Sequence, residues 1–221
     1  MIAIIDYGVG NLFSLQSSLK YIGQEAEVTS DVDKIRAADR ISLPGVGSLQ
    51  DAAAKLRESG MADIVIEQAK SGKPLMGICL GMQLLLEKSY EYGEHQGLGL
   101  IKGSVKPIAG VVDDSYKIPH IGWNALRFTG TACGAGAAAA ADAAGAAGYA
   151  EPLFKYIKEG DHVYFVHSFY ATDCAANTIA TTEYGAELTA AVADGNVYGC
   201  QFHPEKSGDV GMRILKAFCE L

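Results

Sequence analysis

Residues 77 to 83, Gly-Ile-Cys-Leu-Gly-Met-Gln, set one cysteine between an apolar strand-like run, Pro74 to Ile78, and a helix-like run, Met82 to Lys88. This is the pattern of a nucleophile elbow. A sharp strand-to-helix turn lifts the side chain clear of the sheet, and the missing Cβ atoms of Gly77 and Gly81 leave room for the turn. At a helix start, unpaired N–H groups and the helix dipole favour a thiolate at Cys79. A lone cysteine in an apolar run packs more often as a small hydrophobe; the Gly-x-Cys-x-Gly context favours the nucleophile. Such a nucleophile needs a base, and the base needs a group that fixes its tautomer. Residues 201 to 207, Gln-Phe-His-Pro-Glu-Lys-Ser, offer both, with His203 and Glu205 two apart. Pro204 biases His203 toward an extended conformation, in which side chains at i and i+2 share a side. Glu205 is therefore expected to reach one imidazole nitrogen while the other faces Cys79. A glycine-bracketed turn, Pro44-Gly45-Val46-Gly47, adds backbone N–H groups which, with that of Leu80, suit an oxyanion. Singly, His-Pro-Glu reads as a surface turn and Pro-Gly-Val-Gly as a tight strand-to-helix connection. Together the three describe covalent catalysis by a thiolate.

Strand-helix alternation is expected to position these groups. Ile2 to Ile5, Ala26 to Thr29 and Arg40 to Leu43 read as strands. Helices are expected from about Leu12 to Tyr21, near Asp31 to Ala38, and near Leu49 to Glu58 and Met61 to Lys70. This alternation predicts a parallel sheet covered on both faces, with the Pro-Gly-Val-Gly turn at its carboxyl edge, where ligands bind. Val105 to Phe128 and His162 to Phe202 read as short strands with turn signals such as Asp194-Gly195-Asn196, so antiparallel hairpins are expected to extend the sheet. A helix near Val210 to Leu221 closes the pattern. Between 129 and 149 the chain is almost entirely Ala and Gly, which reads as a surface insertion, with a short docked helix as the alternative.

The chain of 221 residues suits one domain, 1–221, with a single core. With Lys+Arg 18 against Asp+Glu 26, the formal charge is −8 and basic residues form nothing beyond isolated pairs, which argues against a nucleic-acid surface. Five cysteines, odd in number and without Cys-x-x-Cys, suit a reducing compartment and offer no zinc pattern. The N-terminal Met-Ile-Ala-Ile-Ile-Asp enters a strand at once and holds no signal or membrane segment, so a cytoplasmic location without membrane association is expected. Gly8-Val9-Gly10 lacks the third glycine of a dinucleotide loop. His95, His120 and His162 have no ligand spacing and read as structural or surface residues. No metal or cofactor is expected.

The three elements resemble those of class I, triad-type glutamine amidotransferases. Further strings narrow the resemblance to the glutaminase subunits of imidazole glycerol phosphate synthase: Asp6-Tyr7-Gly8-Val9-Gly10-Asn11, Pro119-His120-Ile121-Gly122-Trp123-Asn124 and Tyr164-Phe165-Val166-His167-Ser168. The resemblance spans nearly the whole chain; the Ala/Gly-rich insertion departs from the family's compact pattern. It implies a three-layer α/β sandwich of flavodoxin-like type, its mainly parallel sheet extended by antiparallel strands. It further implies that Cys79, His203 and Glu205 hydrolyse glutamine through a thioester, with Val46 and Leu80 at the oxyanion hole. Gly47, Gln83, His167 and Ser168 would then hold the amino-acid end of glutamine. The implied partner is a (β/α)8-barrel cyclase that receives ammonia and forms imidazole glycerol phosphate and an aminoimidazole carboxamide ribotide in histidine biosynthesis. Asn11, Pro119, Ile121, Trp123 and Lys206 would face it, although a plain β-to-α turn for Asn11, core packing for Trp123 and a merely solvated Lys206 remain open. The alternatives are the glutaminase of another class I complex, or a catalytically silent scaffold that activates its partner.

Overall fold

The computed structural model describes residues 1–130 and 151–221. Beyond residue 130, the stretch read as an insertion lies outside the described residues. The first half alternates as the pattern predicts: β1 (Ile2–Ile5), α1 (Leu12–Tyr21), β2 (Ala26–Thr29), α2 (Val32–Ala37), β3 (Arg40–Gly45), α3 (Leu49–Glu58), α4 (Met61–Lys70), β4 (Leu75–Cys79) and α5 (Leu80–Leu85). Side chains that recur every second residue divide the core in two. Ala3, Ile5, Ile41 and Leu43 pack under α2 to α5, whereas Ile2, Ile4, Met76 and Ile78 pack under α1 and a last helix, α6 (Gly208–Phe218). Helix starts follow local chemistry: the Asp31 side chain accepts from the N–H groups of Asp33 and Lys34, and Ser48 accepts from that of Asp51.

The remaining strands are β5 (Leu86–Ser89), β6 (His95–Gln96), β7 (Ile101–Pro107), β8 (His120–Ala125), β9 (Arg127–Phe128), β10 (His162–His167), β11 (Phe169–Thr172), β12 (Thr178–Glu183), β13 (Glu187–Asp194) and β14 (Val197–Cys200). Among the described residues the main sheet runs β2-β1-β3-β4-β14-β13-β12-β9. Its first five strands are parallel, in the order of flavodoxin-like sheets, and β13, β12 and β9 extend it antiparallel. The Asp194-Gly195-Asn196 signal marks the β13–β14 turn.

Two expectations need correction. The helix predicted over Met82 to Lys88 ends at Leu85, and Leu86–Ser89 is a strand paired with β7 and β6. All six residues of α5 are buried, so helical periodicity could not separate it from the equally apolar strand start. Several strands of the second half also leave the main sheet: β10 pairs with β8, and β11-β7-β5-β6 form a third sheet. These smaller sheets wall the carboxyl edge of β3 and β4.

A Cβ at Gly81 would stand 1.7 Å from the Leu43 carbonyl oxygen, and one at Gly77 would stand 2.6 Å from the carbonyl oxygen of Gly81. Both obstacles are backbone, so no side chain can yield. Gly81→Ala is expected to destabilise the chain by about 3 kcal/mol or more, against at most about 0.5 kcal/mol for Ala54→Ser on the exposed face of α3. Urea midpoints measure the difference, and equal midpoints would contradict the close approach.

Candidate active site

Cys79 ends β4 and caps α5 with φ 55° and ψ −110°, a left-handed conformation that a residue with a Cβ adopts only under constraint. The constraint is the Gly81–Leu43 approach, which holds α5 down on β3. The parallel register sets Gly45 beside Cys79 and Cys200 beside Ile78. One edge therefore carries Val46 and Gly47 on one side of the thiol, and the segment after β14 on the other. Tyr7, buried at the end of β1, donates its hydroxyl to the Pro44 carbonyl at 2.9 Å and so anchors the start of the Pro-Gly-Val-Gly turn.

His203 is extended, with φ −101° and ψ 97°, as Pro204 predicts, but Glu205 reaches it by another route. Pro204–Lys206 is a single 3-10 turn, begun where proline's fixed φ is an advantage, and this turn curls Glu205 back toward the ring. The same-side argument from an extended segment is therefore replaced by a turn. His203 Nδ1 donates to Glu205 Oε1 at 2.8 Å, and the carboxylate is 2% exposed. Asn11 Nδ2 approaches the same oxygen at 3.4 Å. The backbone of His203 is fixed on both sides: its N–H donates to the Tyr164 carbonyl at 2.9 Å, and its carbonyl accepts from Ser207 Oγ at 2.7 Å. The ring's other interaction is with Cys79. Burial opposes charge on the ring, yet hydrogen bonds to Cys79 and Glu205 and their charges outweigh it and hold the imidazole up at about 9.

The Cys79 sulfur also lies 3.7 Å from Gln201 Nε2 and 3.9 Å from the Val166 carbonyl. The amide donates to the sulfur, whereas the carbonyl can only accept a thiol proton. Gln201 is fully buried, and its Oε1 accepts from Gln83 Nε2 at 2.9 Å. That nitrogen also donates to the Phe169 carbonyl at 3.1 Å, and among the described residues Gln83 Oε1 receives no donor.

Above the sulfur opens a cavity of about 390 Å³. Of the residues singled out in the sequence, Val46, Gly47, Cys79, Leu80, Gln83, Pro119, His167, Ser168, His203 and Lys206 line it. Glu205 lies behind His203, and Asn11 sits beside Glu205. Ile121 and Trp123 are outside the cavity, exposed on β8. Sequence reasoning missed Glu91, a buried carboxylate in the cavity wall that accepts from the Leu49 N–H at 2.5 Å. It follows β5, beyond the Lys88 at which the expected helix ended, and carried no motif. Gln201 and Tyr7 stood inside quoted motifs without a role. Among the described residues no three His, Cys, Asp or Glu side chains converge to hold a metal ion.

Because the folded-state value of His203 lies above its ordinary 6.5, the ring is an imidazolium at pH 7. Its contribution to stability is complete below the ordinary value and is lost as pH rises through about 9. NMR titration of the His203 ring is expected to show a midpoint near 9, moving down in Glu205→Gln. A midpoint at the ordinary value, unchanged by that substitution, would contradict the coupling.

The family described as Glutamine amidotransferase class-I matches residues 3–220. Imidazole glycerol phosphate synthase subunit HisH of Caldanaerobacter subterraneus subsp. tengcongensis is 44% identical over 222 residues, covering 100% of this chain and 98% of that protein. Its namesake from a Geobacillus strain is 45% identical over 224 residues, covering 100% and 97%. Among solved structures, PurLQS from Thermotoga maritima superposes with a TM-score of 0.71 at 22% identity, covering 99% of this chain and 97% of that one. A crystal structure described only as glutamine amidotransferase gives 0.70 at 19% identity, covering 100% and 98%, and these two likenesses speak to the fold alone. The match in sequence along nearly the whole chain establishes that the protein belongs to the class-I glutamine amidotransferases, in the family of imidazole glycerol phosphate synthase subunit HisH.

Proposed function

We propose that the chain is the glutaminase subunit of an imidazole glycerol phosphate synthase. It hydrolyses glutamine to glutamate and ammonia and passes the ammonia to a cyclase. The observation that carries this reading is the buried line of Cys79, His203 and Glu205 at the floor of a cavity that fits one amino acid. Cys79 is the nucleophile. Its thiolate attacks the side-chain amide carbon, and the tetrahedral oxyanion is received by the N–H groups of Val46 and Leu80. His203, already an imidazolium, gives its proton to the departing ammonia and takes one back from the water that cleaves the thioester. Glu205 orients the ring and stabilises its charge. Gly47, Gln83, His167 and Ser168 hold the amino-acid end, and Glu91 is the wall's match for the α-ammonium.

The cyclase, read as a (β/α)8 barrel, docks over the cavity mouth. Ile121 and Trp123 are 57% and 52% exposed on β8, with Pro119 and Lys206 on the nearby rim and Asn11 at the start of α1. Apolar side chains left in water beside a polar rim are the composition of an interface. Among the described residues no helix is long and apolar enough to cross a membrane, and the cytoplasm is the location this biosynthetic role requires.

Cys79→Ala is expected to lower glutamine-dependent synthesis by the assembled complex on the order of 10⁴-fold while leaving synthesis from added ammonium intact. Retained glutamine turnover would overturn the assignment. Val46 is 43% exposed at the oxyanion turn, and its β-branched side chain restricts rotation of the neighbouring peptide plane. The isolated chain is therefore expected to be slow, with stimulation of roughly 10²- to 10³-fold, the worth of one aligned donor, when cyclase and its nucleotide substrate are bound. Val46→Gly should raise the unstimulated rate. Equal ammonia release with and without partner would contradict the gate and leave the triad standing.

A further inference from the structure

His120 on β8 and His167 at the end of β10 stand opposite one another in the antiparallel register, 0% and 6% exposed. Their facing nitrogens, Nδ1 of His120 and Nε2 of His167, are 2.9 Å apart. Each outer nitrogen meets an atom that can only accept. His120 Nε2 is 2.9 Å from Asn124 Oδ1, and the orientation of that amide is set because its Nδ2 donates to the Glu183 carbonyl at 2.8 Å. His167 Nδ1 is 2.8 Å from the Phe169 carbonyl oxygen. Both outer nitrogens therefore carry hydrogen. A neutral imidazole has one N–H, so two neutral rings would point both protons outward and face two lone pairs at hydrogen-bonding distance. The central contact requires a third proton.

The aromatic surroundings of His120 suit that charge. Tyr184 and Phe165 stack on it with centroids at 4.0 and 4.9 Å, each inclined by 21°, and π faces attract a cation. Among the described residues, the other titratable groups facing the pair are His203, which acts on His167, and Cys79 beyond it. Glu183 presents only its carbonyl, because its carboxylate is paired with Arg127 at 3.2 Å.

We propose that His120 and His167 share one excess proton centred on His120, and that this buried cation clamps β8 to the His167–Ser168 wall that receives the substrate carboxylate. His120 is then a positioning residue acting through His167. The positioning half rests on the glutaminase reading; the proton does not. A second charge is forbidden: burial above all, and then the charges of His120 and His203, push His167 down to about 3 against the pull of the Phe169 carbonyl. Burial also lowers His120, opposed by its bond to Asn124. The proton is retained because three contacts require it, and the pair titrates as a unit.

Long-range ¹H–¹⁵N correlation of the isolated, histidine-labelled chain at pH 7 tests the proton directly. The expected spectrum has three N–H groups over the two rings, with both nitrogens of His120 protonated. Two neutral rings with one N–H each would overturn the proposal. In the assembled complex, His120→Gln is expected to raise KM for glutamine roughly tenfold with little change in kcat, the scale of one charge-assisted contact. Tyr184→Leu, which removes one π face, should move KM in the same direction, and it stands in if His120→Gln does not fold. Unchanged KM in the variant that folds, or a loss confined to kcat, would overturn the positioning role. A wild-type complex that releases no ammonia would instead overturn the glutaminase reading, and the spectrum would still decide the proton.

Discussion

The contact on which this site depends joins two backbones: Gly81 passes so close to the Leu43 carbonyl that no Cβ fits between them. That approach presses α5 onto the end of β3, and the chain can enter the helix only if Cys79 takes a left-handed conformation. Strain of this kind costs on the order of 1 to 3 kcal/mol and persists only where the surroundings over-determine it. Here β3 and β14 flank β4 in parallel register, and helices cover both faces of the sheet. The strained residue is the one whose side chain must stand clear of the sheet edge, level with the turn that begins at Pro44 and with the segment that carries His203.

Charge is then introduced where water is scarce. An isolated buried ion is costly, so each charged or polar group needs a partner. His203 has Cys79 and Glu205, the sulfur has the Gln201 amide, Gln201 has Gln83, and Gln83 has the Phe169 carbonyl. The chain of bonds crosses from the main sheet to β11 and ties the cavity wall to its floor. One atom stands outside it: Glu205 Oε2 is buried without a hydrogen-bond partner among the described residues. A carboxylate left so poorly solvated holds its proton-donating neighbour strongly, in the direction His203 shows. His120 and His167 repeat the logic on the opposite wall, where protons must be counted across two rings.

Much of this was legible in the sequence because it depends on short-range chemistry. The Gly-x-Cys-x-Gly string specifies a turn that only glycines allow, and α1, α3 and α4 have about the bounds their apolar spacing predicts. Tertiary context governed what remained. Leu86 belongs to a strand because β7 and β6 lie ready to pair with it, and nothing local to Met82 to Lys88 encodes that. Glu91 joins the cavity through a loop, and the partners of Gln201, like the His167 that faces His120, come from distant elements, so neither motif nor period could assign them. The His203–Glu205 pairing was anticipated, but its turn was read as an extended segment.

The central claim is that Cys79 carries the substrate's acyl group. The most direct measurement is acid quenching of the assembled complex during turnover of isotope-labelled glutamine, followed by mass spectrometry of its peptides. The account predicts a labelled glutamyl thioester on the peptide containing Cys79, absent when the label is in the amide nitrogen alone. Label on another residue, or none on Cys79 in the wild-type complex quenched during turnover, would contradict it.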